Sequence, residues 1–340
     1  MWRIRRPQCP GILRYAHVVQ SQQGHPIVYH PDFKISPLKL GHRFPMPKDH
    51  LVYVRLKELG YANATFTPRC PDSETLSLVH SRSYVDSFIA GTISAEKMRR
   101  IGLPWSEELL KRTLIGVGSA VLAARLALQY GVAAMCNGGT HHAHADHGSG
   151  WCIFNDLAVA ARAAQRDAGV KKVLFVDLDV HQGDGTAAIF WNDPSVFTLS
   201  VHCDAQSFPA PLHKSSEDVA LPAGTSDREY MQVLEEVVPR VLEQFQPELV
   251  LYNAGVDVHK DDALGKMSLT DEGILRRDKF VFSACANACV PVACAIGGGY
   301  QEDHTRIVER HVLLHRAARE ALPALSQVAL FRKAQRNSTN

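Results

Sequence analysis

Short apolar runs alternate with longer amphipathic stretches along most of the chain, which is the pattern of repeated strand and helix units around a parallel sheet. Five runs predict strands, at 132–136, 172–180, 195–201, 248–253 and 291–296. Apolar residues at helical spacing predict helices at 106–130, 156–168, 226–246, 270–288 and 306 to about 329. The first of these ends at Gly131, and the second begins after Asn155, a good N-cap, and stops at Gly169. Pro239, inside the third, is expected to kink or divide it. Residues 331–340 read as a polar tail. With no repeat and no low-complexity linker, the simplest reading is one α/β domain with a central, mostly parallel sheet flanked by helices. Its expected limits are an N-terminal segment at 1–27, the domain at 28–325 and a tail at 326–340.

Composition narrows the class without naming a function. Of 340 residues 46% are apolar and 21% charged, an ordinary globular balance. A net charge of +2 argues against a dedicated nucleic-acid binder, which wants clustered Lys and Arg. The positive N-terminus is not followed by an apolar stretch of signal-peptide length, and the most apolar segment, 115–136, is interrupted by Arg125 and Gln129. Neither secretion nor a membrane span is expected. The eight cysteines include no C-x-x-C pair, so most are expected to be buried thiols in a reducing compartment, with the cytoplasm as the default. Histidine is unusually frequent, at 17 residues, and its placement matters more than its number.

Open parallel sheets bind ligands beyond the carboxyl ends of their strands. Here each predicted strand is followed by polar, chemically capable residues: Asn137 to His144, Asp177 to Gly185, His202 to Asp204, Asn253 to Asp257, and Gly297 to Tyr300. Strand alternation puts Asp177, Asp179 and His181 on one face, with Leu178 and Val180 on the other. Unpaired carboxylates beside the apolar stretch 172–176 are costly to bury, and a cation is the natural remedy. Two Asp and one His suit zinc, with Asp257 as a third ligand and one position left for water. His141 and His142 suit general base and general acid, each ring oriented through its other nitrogen by Asp177 or Asp184. Tyr300, after three glycines, suits hydrogen bonding to a developing oxyanion. His144 and His147 read as solvated loop histidines.

These segments resemble the zinc-dependent histone deacetylase superfamily, within the arginase-like α/β fold. The pieces G-G-T-H-H-A (138–143), G-W-C-I-F-N-D (150–156), D-L-D-V-H-Q-G-D-G-T (177–186), N-A-G-V-D (253–257) and G-G-G-Y (297–300) occur in family order. His30-Pro31, the run from Gly41 to Met46, and the run from Val256 to Asp262 look most like the class IV type and its bacterial relatives. The resemblance implies zinc on Asp179, His181 and Asp257, with His142 as base, His141 as its partner in protonation and Tyr300 polarising the substrate carbonyl. It implies structural potassium at Asp177, the carbonyls of Asp179 and His181, Ser200 and Val201, and a second such site at Phe190, Asp193 and Val196. Gly150, Trp151 and Phe208, with Leu264, Gly298 and Gly299, are implied to form a narrow tunnel for an acylated lysine. The family commonly places Phe where this chain has Trp151, which bears on tunnel width. The implied reaction is hydrolysis of the acyl-lysine amide of a peptide or protein, with oligomeric state open.

Three other readings compete. A two-manganese ureohydrolase shares the fold, but its D-x-H-x-D signature fails here at Gly183. Acetylpolyamine hydrolases tend to carry an acidic residue seven positions after the last metal Asp, where this chain has Leu264. A catalytically silent acyl-lysine binding module is the third, although silent relatives usually lose a ligand or the tyrosine, and all are present.

Overall fold

Eight strands join in one sheet in the computed structural model, which describes residues 24–36, 38 and 42–338, with side chains as far as 334. They are β1 (Ile27–Val28), β2 (Thr65–Phe66), β3 (Val132–Met135), β4 (Val173–Asp177), β5 (Val196–Cys203), β6 (Glu217–Leu221), β7 (Leu249–Gly255) and β8 (Val292–Gly297). Their order across the sheet is β2-β1-β3-β8-β7-β4-β5-β6, and every neighbouring pair is parallel. The expected single α/β domain is therefore what the chain forms. All five predicted strands are present. The three additional ones carry weak signals, since β1 and β2 are two residues each and the edge strand β6 begins with two charges.

Period-two alternation divides the core into two layers. On β4, Leu174 and Val176 pack into one layer and Val173 and Phe175 into the other. The first layer is covered by α1 (Lys48–Glu58) together with three long helices nearer the C-terminus. The second is covered by a helix running from Glu107 to Tyr130 and one running from Asp156 to Ala168. Between α1 and that 107–130 helix lie α2 (Ser73–Leu76), α3 (Arg82–Ile89) and α4 (Ala95–Ile101), so the helices of the second layer are α5 and α6. Tyr84, Phe88 and Ile101 of this small subdomain pack with Leu109, Ile153 and Phe154. A short α7 (Asp184–Ile189) follows the end of β4, and α8 (Asp227–Phe245), α9 (Asp271–Asn287) and α10 (His304–Ser338) complete the first layer.

The caps act as their residue types require. Asn155 accepts from the Ala158 N–H at the start of α6, Ser106 accepts from Leu109 N–H at the start of α5, and both helices end at glycine. By length and composition α5 could cross a bilayer, but it lines the core with Ile115, Ala120, Ala123, Ala124 and Ala127.

Two expectations are corrected. Pro239 does not divide its helix: α8 runs unbroken, because Pro239 and Glu235 four residues before it are solvent-exposed, and water can take the carbonyl that proline leaves without a donor. Leu234, Val237, Val238 and Val241 hold both halves to the core. Residues 326–338 are not a loose tail but the last turns of α10. Val328 is buried there, and Arg332 donates to the carbonyls of Cys289, Glu248 and Pro247 at 2.7, 3.3 and 3.1 Å. Most of the expected N-terminal segment, residues 1–23, lies outside the described residues, as do 339 and 340. Cys136, Cys152, Cys203, Cys285 and Cys294 are buried free thiols, as expected, and Cys70 is an exposed one.

Candidate metal and active site

The carboxyl ends of β3, β4, β7 and β8 meet at one place. β4 was expected to continue to Val180, but it stops at Asp177, and carboxylates take over the backbone donors that follow. Asp177 Oδ1 accepts Asp179 N–H at 3.2 Å, Asp257 Oδ1 accepts Val180 N–H at 3.0 Å, and Asp179 Oδ1 accepts His181 N–H at 2.9 Å. The alternation nevertheless holds, with Leu178 and Val180 in the core and the acidic and histidine side chains on the other side.

Ligand-type atoms of Asp179, His181 and Asp257 all lie within 4.8 Å of one another, and the three side chains are buried. His181 Nδ1 bonds to Asp179 Oδ1 at 3.0 Å and stands 3.3 Å from Asp257 Oδ2. Hydrogen-bond geometry is met at Asp179, and Asp257 Oδ2 is left without a hydrogen bond although Asp257 is 0% exposed. Burial and the charge of Asp179 push the Asp257 carboxyl up to about 7. Burial opposes charge on His181, but its hydrogen bond to Asp179 and the nearness of Asp257 lift it to about 10. An orphaned, fully buried carboxylate oxygen in a two-carboxylate, one-imidazole donor set fits a metal cation.

Two histidine–carboxylate pairs flank this cluster. His141 Nδ1 lies 2.7 Å from Asp177 Oδ2, and His142 Nδ1 lies 2.6 Å from Asp184 Oδ1. The adjacent rings are 4.0 Å apart between centroids, and His142 is 5.8 Å from His181. Burial opposes charge on His141, but Asp177 and Asp179 outweigh it and raise the ring to about 9. Burial and the neighbouring charge of His141 push His142 down to about 4. Two adjacent imidazoles are thereby driven apart, one toward the acid form and one toward the base form.

Tyr300 sits across the cluster, its ring 6.4 Å from His181 and 5.3 Å from Trp151. Burial and then the charges of Asp179 and Asp257 hold its phenol well above the ordinary value, so it remains a donor. The glycines before it differ in use. Gly298 has φ +60°, and a Cβ there would lie 2.3 Å from Asp257 Cγ, so only glycine fits against the ligand. Its carbonyl accepts from the buried Lys48 Nζ at 2.5 Å.

The residues expected to form a tunnel do not all line one cavity. His142, Gly150, Trp151, His181, Phe208, Leu264 and Tyr300 line a cavity of about 270 Å³. Gly298 lines an adjoining cavity of about 110 Å³, which shares His142, Gly150, Trp151 and Tyr300 with the first. Gly299 lines neither: a Cβ there would meet Ile307, Val256 and His311, so it packs toward α10. At the expected potassium site, Asp177 and Ser200 are register partners on β4 and β5, with Val201 beside them. The side-chain oxygens there are already paired: Asp177 with His141, Asn253 and Asp179 N–H, and Ser200 with His202. At the second, Asp193 is bonded by Ser195 and Arg162.

Several residues in contact with this site had escaped the sequence reading. Lys48 belongs to a helix with no motif of its own, and Asp262, noted only as the end of a run resembling the class IV type, shows its role only through the backbone groups it holds. Asn253, noted merely as a strand end, donates to Asp177 Oδ1 at 3.0 Å. His144 is not a solvated loop residue: it is buried, with Nε2 3.0 Å from Asp184 Oδ2.

A wholly parallel α/β sheet with a buried Asp-His-Asp cluster and two histidine–carboxylate pairs at its strand ends fits the class of hydrolase sites that combine a metal cation with acid–base histidines. The family model of the histone deacetylase domain matches residues 42–315. Over 299 residues the chain is 48% identical to an uncharacterised protein of Picosynechococcus sp., covering 87% of this chain and 99% of that one. It is 30% identical over 242 residues to histone deacetylase 2 of Arabidopsis thaliana, covering 68% of this chain and 62% of the other. It is 28% identical over 306 residues to the acetoin utilization protein AcuC of Bacillus subtilis, covering 83% and 79%. The crystal structure of the HDA15 HD domain shares the fold at a TM-score of 0.73 and 23% identity, covering 90% of this chain and 94% of that one. The chain belongs to the histone deacetylase family.

Proposed function

We propose that the protein is a zinc-dependent hydrolase that removes acetyl or longer acyl groups from lysine side chains of peptides or proteins. The observation that carries this is the tunnel, whose walls include Trp151 and Phe208 and which opens onto His181 and His142. Its aromatic and aliphatic walls suit an aliphatic lysine stem, with the acyl amide at the end near His181 and His142. Asp179, His181 and Asp257 would hold zinc, which when bound supplies a Lewis acid for the amide carbonyl and acidifies water.

The chain's own groups divide the remaining work. His142, neutral through burial and held at Nδ1 by Asp184, presents Nε2 as the base that takes the proton of the attacking water. His141, kept charged by Asp177, is the reservoir that returns a proton to the departing amine. Tyr300 donates its phenolic hydrogen to the carbonyl oxygen as charge develops on it. Structural potassium belongs to the same reading and would rest chiefly on the backbone carbonyls of Asp179 and His181, since the side chains of Asp177 and Ser200 already have partners.

The test is release of acyl groups from acetyl-, trifluoroacetyl- and long-acyl-lysine peptides, with and without a zinc chelator, beside acetylated polyamines. Chelator-sensitive hydrolysis of the lysine peptides is expected. Hydrolysis of the polyamines alone would replace the protein substrate with a small amide. Zinc binding without any hydrolysis would leave a silent binding module.

A further inference from the structure

Asp184 has two carboxylate oxygens, and each meets an imidazole. Oδ1 faces His142 Nδ1 at 2.6 Å, and Oδ2 faces His144 Nε2 at 3.0 Å. An ionised carboxylate only accepts, so both ring nitrogens carry hydrogens toward it. A carboxylate with one partner can rotate about its terminal bond, and a second donor on the other oxygen removes that freedom. Burial opposes charge on Asp184, but the bonds from the two histidines hold its carboxyl well below the usual range.

His144 is itself fixed from behind. Its N–H donates to His147 O at 2.9 Å, and its ring is stacked on His147 with centroids 4.4 Å apart and planes 12° apart. His213 meets it edge-on at 5.0 Å. Its carbonyl accepts from His80 Nδ1 at 2.9 Å, while His80 Nε2 accepts Asn155 N–H at 3.0 Å. The Asn155 donor settles the tautomer: His80 must carry its hydrogen on Nδ1, where the His144 carbonyl takes it. Hydrogen bonds thus run without a break from Asn155 through His80, His144 and Asp184 to His142, and His80, His144, Asp184 and His142 are all buried.

We propose that His144 is a positioning residue that aims His142 by locking the Asp184 carboxylate, with His80 as the buttress that holds His144. The kinetic consequence rests on the deacylase reading above; the geometric one does not. A small error in the aim of a base is expensive, because misplacement by about 1 Å costs roughly 10²-fold in rate.

The test uses the full chain with His144→Leu, which removes the donor, and His144→Gln, whose amide nitrogen reaches about where Nε2 stands. The short His142 Nδ1–H to Asp184 bond is expected to give a strongly downfield proton resonance, assigned by its loss in His142→Ala. His144→Leu should shift or broaden that resonance, and His144→Gln should restore it. On a substrate that the wild type hydrolyses, His144→Leu should lower kcat about 10–100-fold, with KM within about twofold and metal content unchanged. In an Asp184→Asn background the same change should cost less than about twofold, since there is then no carboxylate to lock. An unmoved resonance in His144→Leu, an equal loss of kcat in both backgrounds, or a loss accounted for by missing metal would each overturn the proposal. If His144→Leu does not fold, His144→Asn withdraws the donor while keeping an amide, and the same outcomes apply. A wild type that hydrolyses no substrate would sink the deacylase reading and leave the resonance to decide this one.

Discussion

Asp262 Oδ2 accepts the backbone N–H of Tyr300 at 2.7 Å, while its Oδ1 accepts the N–H groups of Leu264 and Gly265 at 2.9 Å each. One carboxylate thereby ties the wall of the tunnel to the residue that would meet the substrate carbonyl. Tyr300→Phe is expected to lower turnover about 10²–10³-fold, the scale of losing an oxyanion donor. Asp262→Asn keeps one accepting oxygen and must drop one of the two sides, so a loss of about tenfold in kcat is expected. The pair should not add: in Tyr300→Phe, Asp262→Asn should cost little more. Additive losses in steady-state kinetics would mean that Asp262 serves the fold and not the tyrosine.

Metal binding at the Asp-His-Asp cluster must release protons, and the sign of its pH dependence follows. Without a cation His181 is lifted to about 10 and Asp257 to about 7, so at pH 6 both hold a proton that zinc has to displace. Affinity should therefore rise with pH, by about 10- to 100-fold from pH 6 to 7, with the slope falling toward one proton above pH 7. Competition against a chromophoric chelator at several pH values measures this. A flat profile would show that the cluster is not the zinc site.

The parts of this molecule that were legible in the sequence are those with a period or a fixed spacing. Asp177, Asp179 and His181 are two residues apart, so any extended backbone puts them on one side, and they stay there although β4 itself ends at Asp177. The strands buried on both faces are continuous apolar runs and were found. β1 and β2 were not, because two residues carry no period, and their place depends on β3 pairing with β1. His144 was misjudged for a related reason: its neighbours Asp146 and His147 suggest a wet loop, and its burial comes from Asp184, 40 residues away, and from His80, 64 residues away. Pro239 misled because the rule against helical proline assumes that the freed carbonyl is buried.

Trp151 lines both the tunnel and the adjoining cavity. Its backbone is in the left-handed region at φ +64°, held by a bond from its N–H to Ile101 O at 2.8 Å, and its ring packs against Phe44 and Tyr300. Trp151→Ala should join the 110 Å³ and 270 Å³ spaces. Each buried methylene of an acyl chain is worth about 0.8 kcal/mol, so two or three newly accommodated ones should raise the long-acyl to acetyl ratio of kcat/KM by roughly 10–50-fold. If the ratio does not move, the indole is not what limits chain length.

His80 makes the fold sensitive to acid well above the carboxylate range. Burial pushes this imidazole down to about 4, with its bonds to the loop carbonyls of His144 and Ala145 only partly offsetting that. Its unfolded value is near 6.5, so the unfolded chain binds the extra proton first as pH falls. The neutral form's contribution to stability is whole above about pH 6.5 and is lost progressively down to about pH 4. At pH 5 the loss from this one residue should be about 2 kcal/mol. Protonation would also put a hydrogen on Nε2, where Asn155 N–H now donates, so the loop carrying His144 loses its anchor in the same step. His25, His311 and His315 are buried and held low too, so the wild-type slope contains more than His80. The difference between wild type and His80→Gln isolates its share: in urea titrations at pH 7.5 and pH 5, the variant should start less stable and lose less on acidification. Parallel losses in the two proteins would show that His80 is not the acid-sensitive group behind His144.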